Sequence, residues 1–353
     1  MKKIRVLICD DSALMRRSLK RIVESDPRLL VAATARDGED SVNKARDLHP
    51  DVVLMDVNMP GMDGITALQI IVNEGIAPVL MVSSLTQEGA VVTFESIALG
   101  AFDYVSKPGG TVTVQMGPVA PEIIRKIKAA ARPGVLRRLT QNRPVSMKPR
   151  RTPFHKRFSA KRAGFKAVAI GISTGGPKTL FDVLPYLPKD LPAAVFLVQH
   201  MPEKFITSYA RRIDSHCLME CVEAKAGMSV KPGRIYLAKG GYHLILFRKL
   251  NGDIVIRTPK RPQQTFMPSV DIMMKSVLDI FGTDTVGVLM TGMGSDGAES
   301  MLKISQTGGI TIAENEESSI VFGMPQEAIK LGGAQVIAPS WDIANEIIKA
   351  VDG

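Results

Sequence analysis

The sequence predicts two doubly wound α/β domains, each on a mainly parallel sheet, joined by a basic linker. Short β-branched runs alternate with helical patterns through both halves of the chain. Many of these runs end in acidic, glycine-rich or histidine-bearing turns, as buried strands of a parallel sheet do. The 353 residues suffice for two ordinary domains, and 45% hydrophobic residues can fill their cores. The expected boundaries are a first domain over 1–130, a linker over 131–164 and a second domain over 165–353.

Residues 4–9, Ile-Arg-Val-Leu-Ile-Cys, read as the first buried strand. Ser12 then caps a helix whose Met15, Leu19, Ile22 and Val23 share one face. Strands at 30–33, 52–55, 79–82 and, more weakly, 102–106 alternate with helices at 38–48, 64–72 and 87–99. Five such units make one doubly wound sheet, and in such sheets ligands gather beyond the carboxyl ends of the strands. Asp10, Asp11, Asp56 and Lys107 stand at those ends. Any one acidic residue there is an ordinary strand terminator. Three carboxylates and an ammonium converging on one pocket repel or pair, and a hard cation relieves the repulsion. Such a pocket suits Mg2+ and phosphoryl chemistry.

The stretches Cys9-Asp10-Asp11-Ser12, Met55-Asp56-Val57-Asn58-Met59-Pro60-Gly61-Met62-Asp63-Gly64, Val82-Ser83-Ser84 and Ser106-Lys107-Pro108 carry a resemblance. Together they resemble the phospho-acceptor, or receiver, domain of two-component response regulators, a flavodoxin-like (βα)5 fold. The resemblance implies that Asp56 accepts a phosphoryl group from a histidine kinase. It implies that Asp10, Asp11, Asp56 and the Asn58 backbone carbonyl hold Mg2+, and that Lys107 pairs with the phosphoryl oxygens. The Ser83 hydroxyl would report the phosphoryl group to the surface around Tyr104. An aspartyl phosphate needs this neutralisation by a metal and a cation.

The formal charge of +10 belongs to one segment. Residues 132–166 hold twelve Lys and Arg and no acidic residue; the remainder has 33 basic against 35 acidic side chains. With Pro133, Pro144, Pro149 and Pro153 it reads as a tether extended by self-repulsion. A contact with an acidic partner or membrane surface is the competing reading. Nucleic acid is not an expected partner, because no DNA-reading element accompanies the charge. No apolar stretch approaches the length of a spanning helix. Three cysteines, Cys9, Cys217 and Cys221, lack metal-type spacing and argue for reduced thiols, so a cytoplasmic location is expected.

In the second half, residues 168–172 form a strand followed by Ser173-Thr174-Gly175-Gly176-Pro177 and a helix candidate from 178 to 184. Gly171-Ile172-Ser173-Thr174-Gly175 has the spacing of a nucleophile elbow. Glycines let the turn take strained angles and admit a substrate, and a helix N-terminus would offer N–H groups to an oxyanion. A phosphate-binding loop over 171–179 fails, because Pro177 separates Gly176 from Lys178 and removes a donor.

A serine nucleophile needs a base. His49 and His155 lie in the first domain and the tether, His216 near a helix end, and His243 reads as a half-buried strand residue or substrate contact. His200 ends the buried run 194–199, at the edge where Ser173 stands, and is the best base. Asp296 follows the run 286–290 in a glycine-rich loop at the same kind of edge. Alone it reads as a helix N-cap. With the other two it completes a Ser-His-Asp set, in a chain order unlike that of α/β-hydrolases. The rival reading is a non-catalytic binding module whose loops these residues merely shape.

Ile170-Gly171-Ile172-Ser173-Thr174-Gly175-Gly176-Pro177, Gln199-His200-Met201-Pro202, Pro232-Gly233-Arg234-Ile235-Tyr236-Leu237-Ala238, Pro268-Ser269-Val270-Asp271, Thr291-Gly292-Met293-Gly294-Ser295-Asp296-Gly297-Ala298 and Phe322-Gly323-Met324-Pro325 resemble the methylesterase domain of the CheB family. The chain departs from that pattern at Lys239, where proline is usual, at Glu203, and at Met267, where arginine is common. The resemblance implies hydrolysis of glutamyl γ-methyl esters on methyl-accepting chemoreceptors, deamidation of specific receptor glutamines, and phosphorylation control by the chemotaxis histidine kinase. It implies Ser173 as nucleophile, His200 as acid–base and Asp296 as its orienter, with the backbone N–H groups of Thr174 and Met293 as oxyanion donors. The ester reaction needs no cofactor in this reading, and membrane contact comes only through the receptors.

Overall fold

Parallel strand pairing organises both halves of the chain. The computed structural model describes residues 2–84, 87–107, 117–140 and 164–353, those of 83–92 by their backbone alone. They divide into two units, Met1–Asn142 and Arg143–Gly353. Among the described residues no helix is long and apolar enough to cross a membrane.

In the first unit β1 (Ile4–Cys9), α1 (Ala13–Glu24), β2 (Leu29–Ala35), α2 (Gly38–Leu48), β3 (Val52–Asp56), α3 (Gly64–Asn73), β4 (Val79–Ser84), α4 (Gln87–Ala98) and β5 (Asp103–Lys107) alternate. The strands lie parallel in the order β2-β1-β3-β4-β5. This order changes direction between β1 and β3, so Asp10 and Asp56 leave the sheet on either side of the switch point. The Ser12 side chain accepts from Met15 N and caps α1, whose Met15, Leu19, Ile22 and Val23 are buried on one face. Asp37 and Asp63 cap α2 and α3 in the same way.

Helices α5 (Ala120–Ala130) and α6 (Val135–Thr140) close the first unit. Helix α6 lies inside the segment expected to be linker. Its Val135 and Leu139 are buried, and it packs on α3. Two apolar residues four apart suffice for a one-sided helix; neighbouring Arg132, Arg137 and Arg138 made that stripe look like part of a charge run. The rest of the expected linker, 141–163, lies outside the described residues.

The second unit contains β6 (Lys166–Ile172), α7 (Gly176–Thr179), β7 (Ala193–Gln199), α8 (Glu203–His216), β8 (Glu220–Glu223) and β9 (Arg234–Leu237). A hairpin of β10 (Ile245–Arg248) and β11 (Ile254–Arg257) follows, then α9 (Val270–Phe281), β12 (Thr285–Leu289), α10 (Ala298–Thr307), β13 (Ile310–Glu314), α11 (Met324–Lys330), β14 (Val336–Ala338) and α12 (Ser340–Asp352). Seven strands form a parallel sheet in the order β14-β13-β12-β6-β7-β9-β8. β6 is buried throughout, with β7 and β12 on either side. Gly171 is required there: a Cβ would sit 2.2 Å from Val270 Cγ1, so α9 packs directly on the strand.

Two local expectations are corrected. The helix expected over 178–184 is only the four residues of α7, continued by 3-10 turns at Leu180–Asp182 and Leu184–Tyr186. Pro185 has no N–H to return to the carbonyl four residues back, so an α-helix cannot propagate there. His243 is no strand residue. It lies in the loop before β10 and is 1% exposed. Leu139→Ala in the full chain is expected to destabilise the first unit by about 2–4 kcal/mol, read from hydrogen exchange of the α3 amides. An unchanged exchange rate would return α6 to the tether.

Candidate active site

The front pocket is built at the carboxyl ends of β1, β3 and β5. One oxygen each from Asp10, Asp11 and Asp56 lies within 4.8 Å of the others. Lys107 Nζ approaches Asp56 Oδ2 at 2.8 Å and Asp10 Oδ2 at 3.0 Å. Burial, assisted by Asp10, raises the Asp56 carboxyl above its ordinary range against the pull of Lys107. Burial opposes the Lys107 charge, yet Asp56 and Asp10 hold the ammonium above its usual range. An all-oxygen cluster of this size fits a hard divalent cation. Asn58 follows β3 two residues past Asp56. Gly64 lets the intervening loop fold back, since a Cβ there would overlap the Asp56 carbonyl oxygen at 1.8 Å.

Tyr104 is buried in β5, with Lys126 Nζ donating to its carbonyl and standing 5.2 Å from its ring centroid. Ser83 pairs with Ser106 across β4 and β5, but its side chain lies outside the described residues, as does Pro108.

The rear site begins from register. Ile172 of β6 pairs with Gln199 of β7, so Ser173 and His200 leave adjacent strands together. His200 N donates to the Ile172 carbonyl at 3.1 Å, and Ser173 N to the Thr291 carbonyl at 2.9 Å. The loop after β12 therefore lies against the serine turn; a Cβ on Gly292 would sit 2.8 Å from Ser173 Cβ. Gly175 has φ +83° and its turn leaves no room for a side chain.

His200 Nε2 lies 2.9 Å from Asp296 Oδ2. An ionised carboxylate only accepts, so Nε2 carries the proton and Nδ1 the lone pair. Among the described residues Nδ1 is buried and finds no hydrogen-bond partner. Asp296 does not cap its own helix, where Gly297 holds the N-cap position. It instead accepts from Ser269 Oγ at 2.9 Å, Val270 N at 2.7 Å and Asp271 N at 3.0 Å, at the start of α9. Burial penalises the Asp296 carboxylate, but His200 and these amides outweigh it and hold the group below its usual range. Asp296 thus stays ionised beside the imidazole.

Ser173 and Thr174 are both nearly buried, and Met293 is half-buried. Among the described residues neither the Thr174 nor the Met293 backbone N–H has an intramolecular partner. These amides belong to loops, and the four-residue α7 adds little dipole, so the expected contribution of a helix N-terminus is not what the structure offers.

Several supporting residues escaped sequence reasoning. Gln199 Nε2 donates to the carbonyls of both Ser173 and His200, at 3.0 and 3.1 Å. Thr291 Oγ1 donates to the Thr174 carbonyl at 2.9 Å and accepts from Val321 N. His243 accepts from Ser269 N and donates from Nε2 to the Pro262 carbonyl, bolting the loop that carries Phe266. The Phe266 ring stacks on His200 at 4.3 Å between centroids and 8° between planes. Glu314, fully buried at the end of β13, accepts from Thr291 N at 2.7 Å and Ser318 Oγ at 2.8 Å. Its position at a strand end was visible in the sequence, but its burial was not. That burial, with Asp182 nearby, pushes its carboxyl up to about 7.

A family model described as CheB methylesterase matches residues 168–347, and one described as response regulator receiver domain matches residues 6–115. A relative from Syntrophomonas wolfei subsp. wolfei, named protein-glutamate methylesterase/protein-glutamine glutaminase 3, is 57% identical and is covered, like this chain, over 99% of its length. Another, from Caldanaerobacter subterraneus subsp. tengcongensis and named protein-glutamate methylesterase/protein-glutamine glutaminase, is 45% identical over 99% of this chain and 97% of its own. Among solved structures, the Thermotoga maritima CheB methylesterase catalytic domain superposes with a TM-score of 0.52 at 39% identity, covering 53% of this chain and all of that one.

The raised Glu314 carboxyl means that the folded chain binds more protons than the unfolded one between the ordinary glutamate range and about pH 7. Stability contributed at this position therefore falls as pH rises through that window. Glu314→Gln removes the ionisation, so its melting temperature relative to wild type is expected to climb between pH 5 and pH 8. The gain is at most a few kcal/mol. Parallel melting curves across that range would show that the carboxyl titrates normally.

Proposed function

Because this chain belongs to the CheB methylesterase family of hydrolases and carries a response-regulator receiver domain, we propose that it hydrolyses glutamyl γ-methyl esters on chemoreceptors and deamidates specific receptor glutamines. The observation that carries the reading is the His200–Asp296 hydrogen bond, with the imidazole's other nitrogen unpartnered on the rim where Ser173 stands.

The Ser173 hydroxyl attacks the side-chain carbonyl while His200 Nδ1 takes its proton. Charge developing on the carbonyl oxygen meets the N–H groups of Thr174 and Met293, each worth about 3–4 kcal/mol in comparable enzymes. Collapse breaks the ester C–O bond, and His200 returns its proton to the departing methanol. Water then attacks the acyl-enzyme with His200 again as base, freeing the glutamate carboxylate. With a glutamine side chain the same steps release ammonia. Asp296 keeps the imidazole in one orientation and stabilises its protonated form.

In the receiver domain Asp56 accepts a phosphoryl group from the chemotaxis histidine kinase. Asp10, Asp11, Asp56 and the Asn58 carbonyl would hold Mg2+, which supplies charge neutralisation there. Lys107, already between Asp10 and Asp56, pairs with the phosphoryl oxygens. Ser83 and Tyr104 respond to them, and the phosphorylated state sets the rate of the esterase.

Ser173→Ala is expected to abolish methanol release from methylated receptor membranes while the far-UV circular dichroism stays that of wild type. Activity close to wild type would remove Ser173 from the mechanism. Incubation with acetyl phosphate and Mg2+ is expected to add one phosphoryl mass to wild type and none to Asp56→Asn, and to raise methanol release only in wild type. Equal stimulation of both proteins would dissociate the receiver chemistry from the esterase.

A further inference from the structure

The three departures from the family pattern meet on one side of His200. Lys239 Nζ lies 3.6 Å from Glu203 Oε1. The following Gly240 rests on the Glu203 backbone, where a Cβ would come within 2.4 Å of Glu203 Cα. Gly241 N donates to the Met267 carbonyl at 2.9 Å, and Phe266, one residue earlier, is the ring stacked on His200. Residues spread over 65 positions of sequence, from Glu203 to Met267, thus shape a single rim of the site.

That rim is cationic. Lys239 Nζ and Lys260 Nζ stand 4.5 and 4.8 Å from the centroid of the same Tyr242 ring. The aromatic ring attracts each ammonium group and holds it close by, while the two like charges beside one ring oppose each other. Lys260 is exposed and pairs with no carboxylate among the described residues. The Glu203 contact is too long for a direct hydrogen bond, and its carboxylate side chain is 57% exposed, so it neutralises Lys239 weakly. Arg261 adds a further exposed positive charge beside Lys260. An anion placed here relieves the repulsion and gains from both cations.

We propose that Lys239 and Lys260, gathered over Tyr242, form a carboxylate subsite that recognises a free acidic side chain flanking the esterified glutamyl group on the substrate protein. This rests on the methylesterase reading. The esterified side chain is neutral, so it gains nothing from two ammonium groups. An unmodified glutamate near it in the same segment does. Lysine suits the task, since a flexible point charge reads the presence of a carboxylate without demanding a fixed bidentate geometry. The subsite would thus choose among glutamyl esters by their neighbours, while the scissile group is handled by Ser173 and His200.

The test uses the full chain and two synthetic helical peptides carrying one glutamyl γ-methyl ester, flanked in one by glutamates and in the other by glutamines. Wild type is expected to favour the acidic peptide in kcat/KM by roughly fivefold or more. The preference should shrink toward unity in Lys239→Gln/Lys260→Gln, and in wild type at about 0.5 M salt. Should the double variant fail to fold, Lys260→Gln alone, at an exposed position, is expected to lose about half of the preference on a logarithmic scale. Labelling of Ser173 by a fluorophosphonate monitors the nucleophile independently of either peptide. Wild type that hydrolyses both peptides equally well, or a preference the variants leave intact, overturns the subsite alone. Wild type that is labelled yet hydrolyses neither ester overturns the esterase reading, and the subsite with it.

Discussion

The parallel pairing of β6 with β7 on one side and β12 on the other is the constraint on which the rear half depends. It brings two turns and a glycine-rich loop, far apart in sequence, to one edge in fixed register. Backbone hydrogen bonds then carry the register past the strand ends, from His200 to Ile172 and from Ser173 to Thr291. The Gln199 amide ties the two turns together by holding both of their carbonyls. A hydroxyl and an imidazole positioned this way owe little to side-chain entropy lost at the moment of reaction, which is what preorganisation means for an acyl-transfer site.

Charge is placed with the same economy in both halves. In the front pocket a buried carboxylate, a second carboxylate and an ammonium balance one another, so adding a phosphoryl group exchanges one set of ion pairs for another. In the rear site the half-buried Asp296 keeps its charge because four donors converge on it. Glu314 receives fewer donors and faces Asp182, and its proton is correspondingly harder to remove. Two acids of one domain are thus held in different protonation regimes, first by how completely each is buried and then by the N–H and O–H groups aimed at it.

Much of the plan was legible in the sequence because apolar runs advertise buried strands and the residue after each run marks an edge. Asp10, Asp56, Lys107, Ser173 and His200 were singled out as strand-edge candidates that way, and Asp296 as the acidic member of a loop leaving a third rear strand. What stayed hidden depended on partners distant in sequence. The burial of Glu314 and His243 is set by loops that pack over them, and no local pattern encodes it. Helix α6 was hidden because two apolar residues define its inner face and arginines surround them. The failure of the helix after Ser173 was readable in part, since Pro185 follows directly on its expected end and denies an N–H to its last turn.

The orientation of the His200 ring gives the site a direction. Nε2 is committed to Asp296, so in the proposed mechanism a proton exchanged with Ser173 would travel through Nδ1, the nitrogen nearer the main chain. A half-turn of the ring would put the Cδ2–H where the Nδ1 lone pair stands and the Cε1–H where Nε2 meets Asp296, so both contacts would be lost at once. Phe266, lying flat on the imidazole, resists that half-turn. The segment that supplies it is largely exposed from Lys260 to Thr265 and is anchored from below by His243. The orientation of the imidazole is therefore entrusted to a surface loop, whose Phe266 reaches the site from a stretch of exposed residues.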